Sequence, residues 1–135
     1  MARERLWLCV ILLLGSVLRL WGLGTFGFNS DEAGEAVVSR GTFRDTLELP
    51  RGWSMDPPLF RICLCAAQRF IRSDVGLRAI NVAVGVLTIA AAFLMGQKAT
   101  GQAVHGLIAA FFLSVSSANI HHSRELRTYA FFVLF

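Results

Sequence analysis

The stretch Ala79-Ile80-Asn81-Val82-Ala83-Val84-Gly85-Val86-Leu87-Thr88-Ile89-Ala90-Ala91-Ala92-Phe93-Leu94-Met95-Gly96-Gln97 runs from Arg78 to Lys98 without one charged side chain. An α-helix rises about 1.5 Å per residue, so an uncharged run of about 20 residues matches a hydrocarbon layer roughly 30 Å thick. Towards the carboxyl end, only His105, His121 and His122 can carry charge between Lys98 and Arg124. Towards the amino end, Arg3 and Arg5 precede the run Leu6 to Leu18, which continues through Arg19 to Leu20-Trp21-Gly22-Leu23. Hydrophobic residues make up 55% of the 135 and charged residues 16%, against about 25% charged in an ordinary soluble domain. A globule this small has too little interior to hide three such helices. The pattern predicts an all-α polytopic membrane bundle.

The segment Leu59 to Ile71 decides its topology. The segment is apolar but short, and Arg61 and Arg69 lie within it, with Arg72 just beyond. An arginine at mid-bilayer costs at least ~2.5 kcal/mol on the insertion scale, whereas a helix lying in the interface keeps its arginines turned to water. The interfacial placement predicts three full spans, about 6–23, 79–96 and 103–119, and the start of a fourth at 129–135. Residues 24–77 then form one outer loop with juxtamembrane helices. A cleaved signal peptide is the rival reading of the first segment. No A-x-A-like cleavage site follows it, and Arg19 and Trp21 suit an interface anchor.

Arg3 and Arg5 ahead of the first span place the amino terminus in the cytoplasm of a cell (plasma or inner) membrane. By parity the Gln97-Lys98 turn is also inside, while His121 to Arg127 return outside. Of the nine acids only Glu4 then stays in the cytoplasm. The final apolar run Ala130 to Phe135 carries no cap or closing charge, so the sequence reads as a fragment cut early in its fourth span.

The net charge of +4 does not indicate nucleic acid, because the arginines of the loop are interleaved with acids: six against seven between Gly24 and Leu77. The three cysteines, Cys9, Cys63 and Cys65, read as small apolar side chains, since a C-x-C pair is too close for an easy bridge.

Three constellations stand out. In Asn29-Ser30-Asp31-Glu32, Asn29 and Glu32 have capping-box spacing, so a helix starts here and runs to about Arg40. Acids in a first turn complement the helix dipole, and a carboxylate held at a membrane surface can also act as a base or hold a cation. In Met55-Asp56-Pro57-Pro58-Leu59-Phe60 the prolines fix the backbone before a helix, with Pro58 suited to its first position. In His121-His122-Ser123-Arg124-Glu125-Leu126-Arg127-Thr128-Tyr129, His121 and Glu125 share a helical face, as a metal or proton-relay pair does. The same residue types also make an ordinary boundary belt. His105, alone at a turn, reads as structural.

Taken in order, a first span, Asp31-Glu32, Asp56-Pro57-Pro58-Leu59-Phe60, Leu77-Arg78 opening a small-residue-rich span, and Ser123-Arg124-Glu125-Leu126-Arg127-Thr128-Tyr129, the chain resembles the amino-terminal third or so of a family of membrane glycosyltransferases. These are the GT-C type enzymes related to protein O-mannosyltransferases and the aminoarabinose transferases of lipid A. The resemblance implies transfer of a sugar from a polyprenyl-phosphate carrier to a lipid, glycan or protein acceptor at the outer membrane face. It implies Asp31 as catalytic base or acceptor contact, with Glu32 its usual neighbour at the substrate, and Glu125 as a second acid, completed by Arg127 and Tyr129. Asp56 stands where the family commonly has histidine, or a glutamate or lysine nearby. An acid there can bind a divalent cation, the one cofactor implied, with His121 a further candidate ligand. We read Arg127 as a contact for the departing phosphate, because guanidinium suits phosphate oxygens.

Two other classes compete. A small non-catalytic membrane module, or an inactive gene fragment, accounts for the shortness of the chain and for small residues such as Gly85, Ala90-Ala91-Ala92, Gly106 and Ala109-Ala110, which let helices approach closely. A transporter fragment would carry charges in mid-membrane, and these spans have none.

Overall fold

A computed structural model describes residues 2–25, 27–41, 44 and 58–134. Among these every regular element is a helix: α1 (Ala2–Leu20), α2 (Ser30–Val38), α3 (Pro58–Gln68), α4 (Asp74–Thr100), α5 (Ala103–Val115), α6 (Ser117–Arg124) and α7 (Tyr129–Leu134). The helical class expected from the sequence is observed, and α4 is long and apolar enough to cross a membrane.

Ser73 accepts a hydrogen bond from the Gly76 amide at the start of α4, and Gly101 closes its end with φ +72°. That left-handed conformation is open to glycine without a Cβ penalty, which is why the chain can reverse there into α5. α1, α4 and α5 pack along their length through Ile11, Ile89, Phe93 and Ala110. The approach of α4 to α5 is close enough that a Cβ on Gly96 would stand 2.9 Å from Gly106 Cα, and one on Gly106 would collide with the Phe93 carbonyl. Of the small residues noted in the sequence, Gly85, Gly106 and Ala110 serve contacts inside this chain.

The other expected spans differ from the helices. Residues 103–119 do not form one rod: the helix breaks at Ser116, and α5 and α6 meet at a 60° bend. Ser116 has extended backbone (ψ 116°) and its hydroxyl caps α6 by accepting from the Asn119 amide, a role serines fill well. The first helix stops at Leu20, short of residue 23, and passes into a turn in which Gly22 has φ +67°.

Arg19 is not an interface anchor, a correction to the sequence reading. It is fully buried and donates to the carbonyls of Leu113 and Ser114, to Asn119 Oδ1 and to Ser123 Oγ. The carbonyls at the last turn of α5 have no partner inside their own helix, so Arg19 satisfies them where the chain bends.

A second core lies at the amino-terminal end of α4, where Ala36, Phe60, Leu64, Leu77 and Leu126 pack together. α3 begins at Pro58, as expected, and at 11 residues is only about 16 Å long, too short to cross a bilayer. Its Arg61 does not turn to water as the interfacial reading required. It is buried, with Nε 3.5 Å from Glu35 Oε2, while Arg69 is exposed. Burying a guanidinium requires a partner, and α2 supplies one that the pattern of α3 alone did not disclose.

Replacing Gly106 by valine should therefore lower stability by about 1–3 kcal/mol, since the obstructing atom is backbone and cannot rotate aside. Gly34→Ala, at a position where a Cβ meets nothing within 4 Å, should be neutral or stabilising by about 0.5–1 kcal/mol. Unfolding of the reconstituted chain in mixed micelles, followed by circular dichroism, measures both.

Candidate functional site

The capping box read from the sequence is formed. Glu32 N donates to Asn29 Oδ1 at 2.9 Å, and Asn29 N donates to Glu32 Oε2 at 3.1 Å. Asn29 has extended backbone and α2 follows at once, as a capping residue requires.

Glu32 does more than cap. Its Oε1 accepts from Arg78 Nε (2.8 Å) and from the Leu126 amide (2.8 Å), and its Oε2 accepts from Arg78 Nη2 (2.6 Å). The side chain is 2% exposed. Arg78 also donates to the carbonyls of Leu23 and Gly27 and lies over the Phe28 ring at 5.1 Å. Burial alone would raise the Glu32 carboxyl. The Arg78 hydrogen bonds, the Leu126 and Asn29 amides and the Arg78 charge outweigh it, so Glu32 is held below the ordinary glutamate range.

One more buried side chain fixes the same turn. Asn81 Nδ2 donates to the carbonyls of Glu125 and Arg127, each at 2.6 Å, and the Arg127 amide donates to Glu125 O at 2.9 Å. Leu126 is thus anchored through its amide, its neighbours' carbonyls and its side chain, which is fully buried.

The pinned turn brings the two sequence motifs together. Arg127 Nη1 lies 3.2 Å from Asp31 Oδ2, and the Arg127 guanidinium lies 5.6 Å from the centroid of the Tyr129 ring. Tyr129 packs against His122 with centroids 4.8 Å apart. His121 Nε2 is 3.3 Å from Glu125 Oε1. Asp31 and His121 are largely exposed, and Glu125 is part-buried. All of these residues lie at the amino-terminal end of α4, whereas Lys98 lies at its other end, about 30 Å away along the helix axis.

Of the candidate residues, Asp31, Arg127 and Tyr129 form one connected surface set, and His121 with Glu125 forms the adjoining pair. Glu32 is committed to Arg78 and the Leu126 amide rather than presented at the surface. Among the described residues no group of three or more His, Cys, Asp or Glu side chains has metal-binding geometry. Asp56 lies outside the described residues. Clefts of about 260 Å³ (at Arg40, Gln68 and Arg72), about 200 Å³ (at Ser39 and Arg69) and about 430 Å³ (between α1 and α5) are present, and none of the three is lined by Asp31, Glu125, Arg127 or Tyr129.

Sequence reasoning missed Arg78, Asn81 and Arg19 as organisers of the site. The available signal was their position: polar side chains in or beside apolar helical runs, where an unsatisfied group is costly.

No family model, curated protein or solved structure matches this chain.

Glu32→Gln should destabilise the fold by about 3–5 kcal/mol, because it takes this carboxylate away from the buried Arg78 charge. With its native value depressed, the Glu32 contribution is complete above the unfolded glutamate value of about 4.3. That contribution is lost as pH falls through the lower native value. Acid titration of chain stability should therefore show a loss on the acid side that the variant E32Q lacks.

Proposed function

We propose that this chain belongs to a multi-spanning membrane glycosyltransferase and that Asp31, Glu125, Arg127 and Tyr129 form its sugar-transfer site. The observation that carries this reading is the 3.2 Å contact between Asp31 and Arg127, residues far apart in sequence that belong to the two motifs resembling that enzyme class.

The multi-pass reading is supported by an inverted pattern of burial. Arg19, Asn81, Thr88, Ser114, Asn119 and Ser123 are buried, while Leu6, Val10, Leu13, Val17, Leu94 and Phe112 are exposed. In water an apolar surface of this kind is an association liability, whereas in lipid it is the solvated face. On this reading α1, α4 and the bent α5–α6 pair each traverse the bilayer, α7 begins a fourth passage, and α3 lies at the outer interface. The amino terminus is cytoplasmic.

The chemistry follows from charge placement. A polyprenyl-phosphate sugar presents its anomeric carbon at the membrane surface. The acceptor hydroxyl oxygen attacks that carbon, the bond to the phosphate oxygen breaks, and the configuration inverts. Asp31 takes the hydroxyl proton, and Arg127 stabilises the negative charge that develops on the departing lipid phosphate. Glu125 and Tyr129 orient the sugar. A divalent cation would be held by His121 on this side of the site, with Asp56, which lies outside the described residues, as the other candidate read from the sequence.

The alternative, a non-catalytic membrane module, is favoured by one observation: the Asp31–Arg127 contact is closed, as in a purely structural ion pair. Replacing Asp31 by Asn in the natural gene product separates the two. Transfer to acceptor, followed with a radiolabelled polyprenyl-phosphate sugar, should fall by about 10²-fold or more, the usual contribution of a general base. Transfer at the wild-type rate would refute the role of Asp31.

A further inference from the structure

We propose that the adjoining clefts at the carboxyl ends of α2 and α3 bind a phosphomonoester group through Arg40, Arg69 and Arg72. This site is separate from the candidate transfer site and stands without the proposed function. Only a lipid source for the phosphate rests on the membrane placement above.

Arg40, Gln68 and Arg72 line the cleft of about 260 Å³, and Arg40, Gln68 and Arg69 line the cleft of about 200 Å³. The two clefts therefore share a wall, and side chains other than the arginines hold that wall in place. Gln68 Nε2 donates to the Ala36 carbonyl (2.9 Å) and to Ser39 Oγ (3.1 Å), and Cys65 Sγ donates to the Gly41 carbonyl (3.7 Å). These bonds tie the end of α2 to the end of α3.

The three arginines take no part in this. They are exposed, and among the described residues none of them makes a side-chain hydrogen bond or an ion pair. Arg19, Arg61, Arg78 and Arg127, by contrast, each have a partner. No Asp or Glu is among the described residues that line either cleft. Cations just past a helix end offset the partial negative charge there, about half a unit per helix. Two helix ends thus answer about one of the three charges and leave about two uncompensated.

The ligand follows from that surplus. A phosphomonoester carries about −1.5 to −2 charge at pH 7 and three acceptor oxygens, which matches both the excess charge and the number of guanidinium groups. A carboxylate, with one charge and two oxygens, matches neither. Guanidinium forks also suit phosphate oxygens geometrically. Each cleft is smaller than the roughly 300 Å³ at which pockets for whole small molecules begin, so it fits a headgroup. The phosphate has two sources, the free anion and a phosphomonoester lipid. Phe70 follows Arg69 in the chain and is 88% exposed, an apolar side chain that a lipid surface covers.

The test is calorimetric titration of the full chain in neutral-detergent micelles, in one arm with inorganic phosphate and in the other with micelles doped with phosphatidic acid. Arg40→Gln removes the side chain common to both clefts and should lower affinity about ten-fold, as should Arg69→Gln and Arg72→Gln. Arg40→Lys keeps the charge without the fork and should restore only part of the loss. Lys98→Gln, at the far end of α4, should change nothing. In the unsubstituted chain, bound ligand should shield the three arginines from phenylglyoxal and leave Arg5 reactive.

Binding of both probes means that the phosphate group alone is recognised. Binding of phosphatidic acid alone assigns the source to a lipid, and binding of inorganic phosphate alone assigns it to the free anion. An affinity indifferent to the three arginines, or lowered equally by Lys98→Gln, would overturn the site. So would failure of both probes to bind while the helical circular dichroism of the chain is intact. None of these results bears on transfer by the Asp31→Asn variant, so the two readings fail separately.

Discussion

The ion pair between Glu32 and Arg78 is the constraint on which the region around the amino-terminal end of α4 depends. Hydrogen bonds converge on one buried carboxylate: two from Arg78, one from the Leu126 amide and one from the Asn29 amide. They join α2, the first turn and a half of α4, and the turn between α6 and α7, which lie far apart in sequence. A buried pair of this kind adds little net stability when compared with apolar packing. Its effect is geometric, because its hydrogen bonds tie the three segments to one another at a single carboxylate. Asp31 is placed beside Arg127 as a consequence of that arrangement.

The lower part of the bundle follows a different rule. Its helices approach through glycine and alanine, most closely at Gly96 and Gly106, and leave large apolar side chains on the outside. Polar groups inside are each tied to a neighbour: Thr88 Oγ1 to the Val84 carbonyl, Ser123 Oγ to the Asn119 carbonyl, and Arg19 to the broken end of α5. In a low-dielectric surrounding a hydrogen bond is stronger and an unpaired polar group costs more. The bend between α5 and α6 is therefore specified, not loose. Ser116 starts the second helix and Arg19 occupies the carbonyls left by the first.

The two regions meet at Arg19 and Gly85. A Cβ on Gly85 would collide with the Ser123 hydroxyl and stand 3.1 Å from Arg19 Nε. The absence of a side chain at Gly85 makes room for the guanidinium and for α6. The position of α6 sets where His121, His122 and Glu125 emerge, so a small residue in α4 bears on the geometry of the candidate site without touching it.

Much of this was legible in the sequence. The uncharged run after Arg78 marked α4, Asn29 with Glu32 marked the start of α2, Pro58 marked the start of α3, and the spacing of His121 and Glu125 marked a pair that does form. These are local features, governed by backbone geometry within a turn or two, which a single strand of sequence expresses directly. The sequence could not show that Arg19 and Arg61 turn inward. It equally could not show that Ser116 breaks a helix, or that Glu32 is consumed by Arg78 and Leu126 while Asp31 is left at the surface. Each of these depends on which distant carbonyl or carboxylate lies within about 3 Å, hydrogen-bond reach, and only the packing of the helices decides that.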